Sequence, residues 1–145
     1  PNKDQADTLR TCLESIKKKC MYPSYEILII ENNSTEEATF SYYKELEAQG
    51  IRVLKYPKQG FNYSAINNFG VKEAKGEYLL FLNNDMEIIT PDFMEKMVSN
   101  LQRPQIGAVG AKLYYPDNTV HYHRDRRHCG PRLFRTGARK KRLSA

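Results

Sequence analysis

No stretch of the chain approaches the roughly 18 consecutive apolar residues that a membrane-crossing helix needs, so no such span is expected. The first residues, Pro1-Asn2-Lys3-Asp4, are polar and do not read as a secretory leader. The expected location is the cytoplasm or its membrane face. Cysteine is scarce, three in 145 residues. Cys12 and Cys20 fall on one expected helix, about 12 Å apart at roughly 1.5 Å rise per residue, which is too far to bridge. Cys129 stands alone. No C-x-x-C pair occurs, so the thiols are read as reduced and structural. No G-x-G-x-x-G follows an apolar run, which disfavours a dinucleotide-binding dehydrogenase.

Acidic residues nearly vanish from the end of the chain. Residues 121–145 hold nine Lys/Arg and a single acid, Asp125, whereas residues 1–120 hold fourteen Lys/Arg and sixteen Asp/Glu. The net charge of +6 is therefore a property of the tail. It gives no argument for nucleic-acid binding by the body. From Tyr122 onward arginine dominates and apolar periodicity stops, and all three His, His121, His123 and His128, fall within residues 121–145. Three readings stand for residues 122–145: a shifted reading frame, a solvated disordered tail, or a basic arm for nucleic acid. The three His are not read as metal ligands, because no scaffold fixes them.

What the body contains is alternation. Leu9, Cys12, Leu13 and Ile16 recur at helical spacing within residues 4–20, and Lys17, Lys18 and Lys19 suit that helix's C-terminus. A strand is expected at 25–31 and a helix at 36–49, capped by Ser34 or Thr35. A strand follows at 51–55, then a helix at 63–74 capped by Asn62 or Ser64. A strand at 77–82 precedes a helix beginning at Thr90-Pro91 and ending near Gln102. A last strand is expected at 106–111, before a turn at Pro116-Asp117-Asn118. Alternation of this kind predicts an α/β fold, a mostly parallel sheet with helices on both faces. Such a sheet normally starts with a buried strand; this chain starts with a helix, so a first strand is expected to be missing.

Three polar clusters follow the strands, and in a parallel sheet the strands' carboxyl ends share one edge, where open α/β folds bind ligands. The first is Glu31-Asn32-Asn33-Ser34. A carboxylate there can accept the imide N–H of uracil or thymine; the same residues also suit an Asx turn. The second is Gly60-Phe61-Asn62-Tyr63-Ser64-Ala65-Ile66-Asn67-Asn68-Phe69-Gly70, with Asn67 and Asn68 inside a helix where Asn has poor propensity. They read either as donors to phosphate or sugar, or as one solvated and one backbone-bonded Asn. The third closes the apolar run Leu79-Leu80-Phe81-Leu82, which reads as a strand buried on both faces. It is Asn83-Asn84-Asp85, where the Asp85 carboxylate suits Mg²⁺ or Mn²⁺ shared with diphosphate oxygens and water.

With these motifs in place the chain resembles the family 2 glycosyltransferases, of GT-A fold, which use nucleotide-diphospho-sugars. The resemblance covers nearly all of residues 1–121. It rests on Tyr25-Glu26-Ile27-Leu28-Ile29-Ile30-Glu31-Asn32-Asn33-Ser34, on Asn62 to Gly70, on Gly76-Glu77-Tyr78-Leu79-Leu80-Phe81-Leu82-Asn83-Asn84-Asp85, and on Gly107-Ala108-Val109-Gly110-Ala111-Lys112-Leu113, in the family's order and spacing. The flavour is that of bacterial O-antigen and surface-polysaccharide enzymes. The resemblance implies a donor site of Glu31, Asn33, Asn62, Asn67, Asn68, Asn83 and Asn84 with a metal at Asp85. Glu31 stands where the family usually has a base-recognising Asp. Asn83-Asn84-Asp85 stands on the D-x-D motif and keeps only its last acid. Asn67 replaces an Arg. The family's downstream catalytic base has no counterpart, so no catalytic residue is assigned. The chain alone is expected to transfer no sugar. The implied partners are a UDP- or dTDP-sugar and, in an intact enzyme, a glycan or lipid-linked acceptor, not nucleic acid. A nucleotide-binding module without turnover, and nucleic-acid binding through the tail, are the alternative functions.

Overall fold

The computed structural model describes residues 1–117, Thr119 and the backbone of Arg132–Arg135. Four helices and five strands occur among them: α1 (Ala6–Lys19), β1 (Leu28–Glu31), α2 (Glu37–Ala48), β2 (Arg52–Lys55), α3 (Tyr63–Glu73), β3 (Tyr78–Phe81), α4 (Phe93–Leu101), β4 (Ala108–Gly110) and β5 (Arg132–Arg135). Every expected helix and strand of the body is present.

β1 and β2 pair in parallel, Ile29 opposite Val53 and Glu31 opposite Lys55. β5 lies between β3 and β4 and is antiparallel to both, so β3 and β4 run in the same direction. The α/β architecture therefore holds, with one antiparallel strand that the sequence reading did not place. That strand comes from residues 122–145, where the sequence shows no apolar periodicity. The rest of that tail lies outside the described residues, with His123, His128 and Cys129, as do His121 and Asn118 of the expected turn.

Helices cover two faces. On one, Leu9, Cys12, Leu13 and Ile16 of α1 and Tyr42, Tyr43 and Leu46 of α2 pack with Ile29 and Ile51. On the other, Ile66 of α3 packs with Ile30 and Tyr56. Period-two alternation along β1 sends Ile29 to the first face and Ile30 to the second. Gly70 lets α3 sit close: a Cβ there would lie 3.1 Å from the Ile30 side chain. A third cluster gathers Met97 and Leu101 of α4 against Leu80 and Val109.

Several local expectations are corrected. α2 is capped by neither Ser34 nor Thr35; Glu36 is its N-cap residue, with no side-chain cap bond. The Asp4 carboxylate takes the helix's leading amides instead, from Thr35 N at 2.7 Å and Glu36 N at 2.9 Å. α4 starts at Phe93 rather than Pro91, because Thr90 to Asp92 close a turn through Phe93 N and Thr90 O, 3.3 Å. β3 is half-buried along its length, not buried on both faces. A cavity beside it leaves that side uncovered.

Candidate functional site

The carboxyl ends of β1 and β3 are joined by side chains. Asn2 forms a parallel bridge with Glu31, its N–H donating to Ile30 O (2.8 Å) and its carbonyl accepting from Asn32 N (2.9 Å). The Asn2 side chain is buried. Its Nδ2 donates to the Tyr43 hydroxyl (2.8 Å) and to Asp4 O (3.0 Å), and its Oδ1 accepts from Asn84 Nδ2 (2.7 Å). Asn84 follows β3 in the chain, so one asparagine ties the two strand ends together.

Glu31 ends β1 and is only 3% exposed. Its Oε1 accepts from Ser34 N at 2.6 Å, while Oε2 is buried with no hydrogen-bond partner. An acceptor oxygen left without a donor costs roughly 1–3 kcal/mol, and more when charged. A donor supplied from outside would relieve that cost.

Asn33 adopts a left-handed turn at φ 59°. Its Nδ2 donates to Asn32 Oδ1 (3.0 Å) and Lys58 O (3.2 Å), which draws the loop after β2 against the loop after β1. Asn62 caps α3 by accepting from Ala65 N at 3.0 Å, as expected. Asn67 donates Nδ2 to Tyr63 O one turn back, 2.8 Å, so its amide is engaged on its own helix. Asn68 is half-buried on α3, and its side chain makes no hydrogen bond among the described residues.

The loop after β3 is held by α1. Cys12 Sγ donates to Asn83 O (3.7 Å), and Ser15 Oγ accepts from Ile88 N (3.0 Å). Burial pushes the Cys12 thiol up to about 11, so it stays protonated and apolar in character. Asp85, on the same loop, is exposed and forms no ion pair or hydrogen bond among the described residues. No group of three His, Cys, Asp or Glu is clustered among those residues. A cation at Asp85 would thus complete its shell with other oxygens, such as phosphate and water, which is the habit of Mg²⁺.

The structure places Glu31 at the carboxyl end of β1 and Asn33, Asn62, Asn83, Asn84 and Asp85 in the loops that follow β1, β2 and β3. Asn67 and Asn68 stay on the body of α3. Sequence reasoning missed Asn2, Asp4 and Tyr43. Their partners are 82, 31 and 41 residues away in the chain, and no local motif marks them.

The glycosyl transferase family 2 sequence profile matches residues 1–144. The chain belongs to glycosyl transferase family 2. Its relatives include the O-antigen biosynthesis protein RfbC of Myxococcus xanthus, 44% identical over 84% of this chain and 10% of RfbC. Another is the putative glycosyltransferase EpsH of Bacillus subtilis, 30% identical over 62% of this chain and 25% of EpsH. This family 2 chain thus spans no more than a quarter of either relative. Among solved structures, the mannosyltransferase PcManGT of Pyrobaculum calidifontis, in complex with GDP-Man and Mn²⁺, superposes with a TM-score of 0.74. It covers 93% of this chain and 42% of PcManGT at 16% identity. TarS of S. aureus superposes at 0.64 over 78% of this chain and 34% of TarS, at 17% identity. Both likenesses establish the GT-A fold. No helix among the described residues is long and apolar enough to cross a membrane.

Proposed function

We propose that this chain binds the nucleotide-diphospho-sugar donor of a polysaccharide-building glycosyltransferase, at the carboxyl ends of β1 and β3. The observation that carries the reading is the buried, unpartnered Oε2 of Glu31 at a sheet edge where three polar loops meet. An imide N–H of uracil or thymine is a donor of the right kind for it, so the donor is a UDP- or dTDP-sugar. Asn33 and Asn84 hold the loops that flank the base. Asn62 and Asn83, in loops at that edge, would line the way towards the diphosphate, and Asn67 and Asn68 would face it from the body of α3.

Asp85 would hold Mg²⁺ or Mn²⁺ together with the diphosphate oxygens. When bound, such an ion neutralises charge on the departing nucleoside diphosphate. Family membership and the RfbC relative support the sugar-transfer reading. The Mn²⁺ and GDP-Man of the PcManGT complex support a metal and a nucleotide-sugar. The acceptor is a glycan or lipid-linked glycan.

Glu31→Gln tests the base contact. Gln keeps the length but replaces one carboxylate oxygen by an NH₂ donor, so it either meets the imide N–H donor-to-donor or rotates and abandons Ser34 N. UDP affinity is expected to fall at least tenfold in a variant whose circular dichroism and melting cooperativity match the parent. Unchanged UDP affinity in the folded variant would remove Glu31 from the site.

A further inference from the structure

One hydroxyl behind the sheet edge is bonded towards both halves of the candidate site. Tyr43 lies in α2 and is only 5% exposed. Its ring belongs to the core formed with α1 and Ile29, and it meets Phe40 edge-on with the ring centroids 6.1 Å apart. A ring packed on all sides keeps one rotamer, so the hydroxyl it carries is a fixed point. Desolvation pushes the pKa of this phenol up, and the hydroxyl stays protonated, able to donate and to accept.

Bonds run from that point in two directions. Ser34 Oγ lies 3.4 Å from the hydroxyl, and Ser34 N is the donor to Glu31 Oε1, at 2.6 Å. In the other direction Asn2 Nδ2 donates to the hydroxyl at 2.8 Å, and Asn2 Oδ1 accepts from Asn84 Nδ2 at 2.7 Å. Asn84 immediately precedes Asp85. Asn2 is held from several sides. Its Nδ2 also donates to Asp4 O (3.0 Å), and its backbone is bonded to Ile30 O and Asn32 N. Asn2 is buried like Tyr43, so their bond is shielded from competing water.

The loop that carries Asp85 needs such a tie. Cys12 Sγ donates to Asn83 O at 3.7 Å, and Ser15 Oγ accepts from Ile88 N at 3.0 Å. Those two bonds join the loop to α1. The bond from Asn84 to Asn2 is the one that joins it to the end of β1.

We propose that Tyr43 is a positioning residue which, through Asn2 and Asn84, fixes the spacing between Glu31 and Asp85 and so couples base binding to metal binding. The inference rests on the donor reading above. A nucleoside diphosphate carries its base and its diphosphate on one molecule. It gains from both ends at once only where the protein holds the two ends at the matching distance. With the tie cut, the ligand itself must order the loop of Asp85, and the cost of that ordering lowers the affinity. Base and metal then still find their own groups, with less benefit from each other. Tyr43 acts through Asn2 and Asn84, not by touching the ligand.

Tyr43→Phe keeps the ring and removes only the hydroxyl. UDP is titrated calorimetrically, with and without Mn²⁺, into this chain, into Tyr43→Phe, into Asn84→Ala and into the double variant. The readout is the factor by which Mn²⁺ strengthens UDP binding. A loss of folded protein weakens both titrations alike and cancels from that factor, so a merely structural role does not move it. The factor is expected to fall about threefold or more in each single variant and no further in the double variant, as for two steps of one path. A factor in Tyr43→Phe equal to the parent's would overturn the proposal, and so would losses that multiply in the double variant. Should Tyr43→Phe fail to fold, Asn2→Ala takes its place, cutting the same path in the middle, and the same outcomes decide. A parent that binds no UDP, or binds it indifferently to Mn²⁺, overturns the donor reading and this proposal together. A parent that shows the Mn²⁺ effect leaves the donor reading standing whatever the variants do.

Discussion

Asp4 and Asn2 act at a distance from their place in the chain. Asp4 sits just before α1 in a left-handed conformation, φ 52°, and its carboxylate caps α2 through Thr35 N and Glu36 N. Those two backbone bonds hold its pKa below the ordinary 3.8. A carboxyl whose folded pKa is depressed contributes stability above its unfolded pKa and loses it as pH falls through the folded value. Asp4→Asn is therefore expected to melt at a lower temperature than the parent at pH 7, with the gap closing below pH 3.8. A gap that stays constant in melting curves down to the acid limit would show that the charge plays no part. At this scale the places of Glu31 at a strand end, Asn62 at a helix cap and Asp85 in the loop after β3 were legible, because strand ends, helix caps and apolar runs leave local marks. For Asn67 the sequence left two readings open, and the structure shows the backbone-bonded one. Its Nδ2 donates to Tyr63 O, a bond that any mid-helix Asn can make.

The elements were legible because their periodicities are strong, and their limits were less so. The strand expected at 25–31 is paired only from Leu28 to Glu31, since β2 offers partners only to those four residues. Pairing partners decide a strand's ends, and a single sequence does not display them. β5 was invisible for the same reason: Arg132-Leu133-Phe134-Arg135 is a short run in arginine-rich surroundings, and its place between β3 and β4 is a long-range property. The close seating of α3 on β1 depends on Gly70, whose missing side chain leaves room for Ile30. Gly70→Val inserts methyl groups at that contact. Overpacking of this kind costs about 1–3 kcal/mol, which exceeds the few tenths that better helix propensity returns. Urea unfolding is expected to show the loss, with Gly70→Ala milder. A gain in stability for the valine variant would mean that α3 is not tightly seated.

At the scale of the whole molecule, the parallel run of β1 with β2 and the shared direction of β3 and β4 decide where chemistry collects. Loops from separate parts of the chain meet because like-directed strands end together, which is why three motifs far apart in sequence were readable as one candidate site. The Asn2–Asn84 bond makes that meeting concrete. The central claim is that this edge binds a nucleoside diphosphate with a metal at Asp85. Its most direct measurement is calorimetric titration of UDP, with and without Mn²⁺, into this chain and into Asp85→Ala. The account predicts saturable binding that Mn²⁺ strengthens at least tenfold, with the enhancement lost in Asp85→Ala while the metal-free affinity is retained. Binding indifferent to Mn²⁺, or enhanced equally in the variant, would contradict it.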